Sequence, residues 1–198
     1  IITAGGDLTQ DTTSGFVVTG TTSLDVTAGT NSDITLNGAT NDFVGAVTVS
    51  ATDANSVVSI IDVNDLLISS LGDINVGAIT ATTGTLSITS STGSINDATD
   101  DNVVDLTAGG LITLTAEDEI GDHATFTDKE LELAAGSSVD ATSSTVGAIR
   151  LDGLGALTLT DVDTGNGIIT VTAAGLLTAT DVASLTDDDS NDITLTGV

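Results

Sequence analysis

No cysteine, methionine, proline, tryptophan or tyrosine occurs among the 198 residues, and phenylalanine occurs only at Phe16, Phe43 and Phe126. Without cysteine there is no disulfide and no thiolate metal site, and no reaction that needs a cysteine nucleophile or a tyrosine acid. Positive charge is almost as scarce. Lys129, Arg150 and His123 are the single residues of their types, set against 29 Asp plus Glu, for a net charge of −27. A chain with so few cations has little with which to neutralise phosphates, so no nucleic-acid partner is expected. No window approaches the roughly 20 uninterrupted apolar residues of a membrane span, so none is expected. Position 1 is Ile1 and Val198 falls in mid-pattern, which is expected of a piece excised from a longer repeat protein.

High net charge favours disorder, but disordered chains are also poor in apolar and β-branched residues. Here 39% of the residues are hydrophobic and the mean hydropathy is +0.35, carried almost wholly by Val, Ile, Leu and Ala. Such a chain can bury a core. Lacking aromatic bulk, the core must be narrow enough for aliphatic side chains to fill.

A short unit recurs along the chain: Gly, Asn or Asp, an apolar–polar–apolar triplet, then Thr or Ser and a small residue. Ile34-Thr35-Leu36, Val47-Thr48-Val49, Ile74-Asn75-Val76 and Leu86-Ser87-Ile88 carry it early. Ile112-Thr113-Leu114, Leu131-Glu132-Leu133, Ile149-Arg150-Leu151, Leu157-Thr158-Leu159, Ile169-Thr170-Val171 and Ile193-Thr194-Leu195 carry it later. Strict alternation over three to five residues marks a strand with one side buried. No segment holds a 3.6-residue apolar stripe for three turns, so helix is not expected.

The spacing of these units is near 20 residues, as from Val47 to Leu66, Leu66 to Leu86 and Ile149 to Ile169. Two or three very short strands per period suit one coil of a parallel β-solenoid. Tandem immunoglobulin-like β-sandwiches are the alternative, since they too carry turn signals every 8–12 residues. They call for longer strands, a larger buried aromatic and usually some proline. In a solenoid, aliphatic residues stack like on like one coil apart, glycine turns the corners, and the absence of proline keeps the backbone ladders unbroken. Nine or ten coils at about 4.8 Å would give a rod roughly 45–50 Å long. Residues 1–198 read as one segment, with loops protruding near 117–129 and 183–192, where the rhythm breaks.

The runs G-T-L-S-I-T-S-S-T-G-S-I (84–95) and D-L-T-A-G-G-L-I-T-L-T-A-E-D-E-I-G-D (105–122) resemble the repeats of giant secreted bacterial β-strand-repeat proteins. These include the filamentous-haemagglutinin-like adhesins. The resemblance covers nearly the whole chain and rests on composition and period. It implies a right-handed parallel β-helix and an extracellular or cell-surface location.

Asp is the residue type that offers chemistry. Asp161-Val-Asp163-Thr-Gly-Asn166-Gly is similar to the start of an oxygen-ligand calcium loop, although no Glu follows at the twelfth position. Asp97 to Asp101, and the run Asp187, Asp188, Asp189 with Asp192, supply further hard oxygens. Asp161, Asp163, Asp187, Asp188, Asp189 and Asp192 are accordingly the candidate Ca²⁺ ligands, against the plainer reading of solvated corner residues. Outward Thr (Thr35, Thr48, Thr113, Thr158, Thr170, Thr194) would suit an ice-binding array. It is interrupted by Asp25, Asn75, Asp105, Glu132 and Arg150, and Thr is also the ordinary polar residue of a strand face. Asp118, Glu119, Asp122 and His123 could be imagined as catalytic groups of a polysaccharide-cleaving β-helix, but aromatic platforms and basic residues are missing.

The function expected is structural rather than enzymatic: a shaft segment of an extracellular adhesin, surface layer or self-assembling fibre. Its partners would be neighbouring copies or flanking segments stacked end to end. A module binding host or matrix glycans or proteins through its loops is the alternative.

Overall fold

A computed structural model of the chain describes residues 1–51, 55–121, 129–186 and 190–198. Among these residues there is no helix, hence none long and apolar enough to cross a membrane. Parallel strands stack as a β-solenoid of about 9 turns, about 21 residues apart.

Two ten-stranded sheets run the length of the stack. The first follows the order Ile2–Thr3, Thr22–Asp25, Val47–Ser50, Leu66–Ser70, Leu86–Ser90, Leu111–Ala116, Ser137–Ser143, Leu157–Thr164 and Leu177–Ala179, with Val182–Ser184 beside the far half of Leu157–Thr164. The second runs Leu8–Thr9, Ile34–Leu36, Val58–Asp62, Ile74–Ala81, Leu106–Ala108, Leu131–Leu133, Ile149–Gly153, Ile169–Ala173 and Ile193–Thr196. A short third sheet pairs Val17–Val18 with Asp42–Phe43. Every ladder between these strands is parallel. That excludes the sandwich alternative, whose sheets are antiparallel.

Alternation within each strand builds the interior. In Leu86–Ser90 the side chains of Leu86, Ile88 and Ser90 are buried while Ser87 and Thr89 are half-exposed. Ile88 lies between Ile68 on one coil and Leu114 on the next, all fully buried. Each such aliphatic contributes roughly 1.5–3 kcal/mol by leaving water, and like-on-like stacking needs no ring to fill the space. The described aromatics sit at the base, where Phe16 and Phe43 lie with ring centroids 6.4 Å apart.

Polar residues also enter the core, at phases where alternation demands an apolar side chain. Ser70, Ser90, Ser143 and Thr164 follow one another up the first sheet, apart from Ala116 between them, and all are buried. They satisfy corner carbonyls: Ser90 Oγ donates to Gly72 O at 2.9 Å and Thr164 Oγ1 to Gly147 O at 2.8 Å. Asn75 and Asn96 form an amide rung, Asn96 Nδ2 donating to Asn75 Oδ1 at 3.1 Å. Asn41, wholly buried, exchanges two hydrogen bonds with the Gln10 side-chain amide and also accepts from Phe16 N. Backbone groups that the corners would leave unpaired in a dry interior are satisfied this way.

The register differs in detail from the simple 20-residue spacing. Leu86 pairs with Leu66 and Ile112, whereas Leu106 belongs to the second sheet and pairs with Ile79 and Leu133. Leu131 pairs with Leu151, not with Ile149. An insertion after Ile95–Asp97 accounts for the first of these shifts. The long strand Ile74–Ala81 carries two successors, Ile95–Asp97 on one half and Leu106–Ala108 on the other. Between them residues 99–104 leave the ladder. One coil on, Ile120 bridges Ile95 and Ile149, and Leu133 pairs with Leu106. Gly121, next to this bridge, has φ +79, and a Cβ there would strike the Arg150 carbonyl. The loop expected near 117–129 includes residues 122–128, which lie outside the described ones. The loop expected near 183–192 includes residues 187–189, which also lie outside them.

Candidate functional site

Three buried carboxylates gather where the strands Ile95–Asp97, Leu106–Ala108 and Leu131–Leu133 adjoin. Asp97 ends the strand Ile95–Asp97 at an inward position in register with Val76, and is 0% exposed. Asp105 precedes Leu106 and Glu132 precedes Leu133, so the two acids stand on adjacent coils, 4% and 1% exposed. One carboxylate oxygen from each of Asp97, Asp105 and Glu132 lies within 4.8 Å of the others. On an ordinary coil the positions of Asp105 and Glu132 would face water. Here both are buried.

Burial sets the electrostatics. The Asp105 carboxyl is pushed up to about 7, first by desolvation, with the negative charges of Asp97 and Asp101 adding to it and hydrogen bonds from the Glu132 side chain and backbone opposing it. The Glu132 amide donates to Asp105 Oδ2 at 3.0 Å. Asp97 Oδ1 accepts from Thr99 N at 2.9 Å, closing a turn at the start of the insertion. Chemically, three carboxylates from separate elements can share a proton or offer hard oxygens to a cation of the Ca²⁺ class.

The Ca²⁺ ligands expected from the sequence fall elsewhere. Asp161 and Asp163 project outward from the strand Leu157–Thr164, Asp161 exposed and Asp163 half-buried. Asp161 lies against Asp140 of the preceding coil. Burial and then the Asp161 charge raise the Asp140 carboxyl, while burial, Asp161 and Asp181 raise that of Asp163. The result is an acidic patch on the first sheet. Asp192 is exposed before Ile193–Thr196 in the second sheet, on a different face. Asp187, Asp188 and Asp189 lie outside the described residues, as do Asp122 and His123 of the imagined catalytic group. Asp118 is exposed and accepts a 3.2 Å hydrogen bond from Thr145 Oγ1.

Of the D-A-T-D-D run only Asp97 reaches the buried layer, since Asp100 and Asp101 are exposed. Asp105 and Glu132 drew notice in the sequence only as interruptions of the Thr array. The signal that could have found them is an acid–Leu pair repeated 27 residues apart, a coil too long for the prevailing period. The Thr residues are divided between faces as well. Thr48, Thr113 and Thr158 lie on the first sheet, Thr35, Thr170 and Thr194 on the second, so they make no single flat array.

Residues 1–50, the stretch up to and including the strand Val47–Ser50, match a family model described as repeats of unknown function (DUF5649). No curated protein and no solved structure matches the chain. With a β-solenoid throughout and a repeat-family match at its start, the chain is a β-helix repeat protein.

Proposed function

We propose that this chain is a shaft segment of an extracellular bacterial adhesin, surface layer or self-assembling fibre, acting mechanically rather than as a catalyst. One observation carries the reading. Ile193 and Leu195 stand in register on Ile169 and Val171, which are 0% exposed, yet remain 43% and 40% exposed themselves. Leu176, Leu177, Ala179, Leu195 and Val198 line an apolar groove at the same pole. The columns that hold each coil to the next thus present the surface on which a further coil would sit, with strand edges ready to pair. The occupant in this reading is a coil of a neighbouring segment or copy, stacked end to end.

A tandem fusion of two copies tests it. Continuous stacking is expected to give one cooperative unfolding transition at a higher urea midpoint than the single segment. Two independent transitions at the single-segment midpoint would overturn the stacked shaft. Labelling of intact cells with an antibody to the segment tests the location; signal only after permeabilisation would overturn a surface role.

The insertion at residues 99–104, exposed over 99–103, favours a second reading, in which it recognises a glycan or protein. Replacing residues 99–104 by a short turn is then expected to abolish binding to a glycan array while the solenoid's circular dichroism is kept. Undiminished binding would count against it.

A further inference from the structure

We draw no further inference here: the strongest candidate, the buried cluster of Asp97, Asp105 and Glu132 beside the strand Leu131–Leu133, is a set of acidic side chains for which no second observation among the described residues points to a ligand.

Discussion

Asp105 and Glu132 occupy matching positions on adjacent coils, with the Glu132 N–H donating to Asp105 Oδ2 at 3.0 Å in a layer closed to water. A carboxyl that ordinarily ionises near pH 3.9 is there pushed up to about 7, chiefly by burial. Between about pH 4 and pH 7 the folded chain keeps a proton that the unfolded chain has released. Stability therefore falls as pH rises through that interval and levels off above it. Asp105→Asn removes the ionisation at nearly constant shape. It is expected to raise the urea midpoint by the equivalent of about 1–3 kcal/mol near pH 8 and to change it little near pH 4. Equal shifts at both pH values would contradict the assignment.

Ile88 is gripped between Ile68 and Leu114, whereas Leu195 has a neighbouring coil on one side only. Truncating Ile88 to Ala leaves a cavity in the middle of the stack and is expected to cost about 2–5 kcal/mol. Leu195→Ala, 40% exposed to begin with, is expected to cost about 1 kcal/mol. Equilibrium urea unfolding separates the two, and comparable losses would mean that the coils are not the packing unit.

Asn41 clasps Gln10, the Phe16 amide and the Leu36 carbonyl from a fully buried position. Asn41→Leu keeps the volume but strands those backbone groups, at an expected cost of about 2–4 kcal/mol. Hydrogen exchange should locate the damage in the first two coils, with faster exchange at Phe16 than at Ile88. Uniform acceleration along the chain would contradict a local clasp.

The patch of Asp140, Asp161, Asp163 and Asp181 holds like charges on neighbouring coils. Raising NaCl from about 0.01 M to about 1 M shortens the Debye length from about 30 Å to 3 Å. The melting temperature is expected to rise accordingly, and less so in Asp161→Asn. If Asp161 and Asp163 bind Ca²⁺, as expected from the sequence, CaCl₂ stabilises more than NaCl at equal ionic strength, and Asp163→Asn removes the excess. Identical curves for the two salts would reduce the patch to screened charge.

Alternation in triplets such as Ile34-Thr35-Leu36 and Leu157-Thr158-Leu159 was enough to find the strands and their inward residues, because one buried face imposes a two-residue period. Parallel stacking also followed from the period, but not the register. Leu86 and Leu106 are 20 positions apart and look equivalent, yet the insertion puts them in different sheets. The carboxylate layer was hidden for a related reason. Polarity predicts exposure only where nothing covers the strand, and Asp105 and Glu132 are buried against that expectation. Likewise the burial of Ser90 and Thr164 was not legible, because they satisfy carbonyls at corners that a linear pattern does not display.

Since the backbone ladders link successive coils, a pull applied along the axis draws their hydrogen bonds apart nearly head-on instead of sliding strands past one another. Such a stack peels from an end, one winding at a time. Each winding of about 21 residues releases roughly 65 Å of slack. The forked strand Ile74–Ala81, tied to two successors at once, is where that unravelling would have to pause.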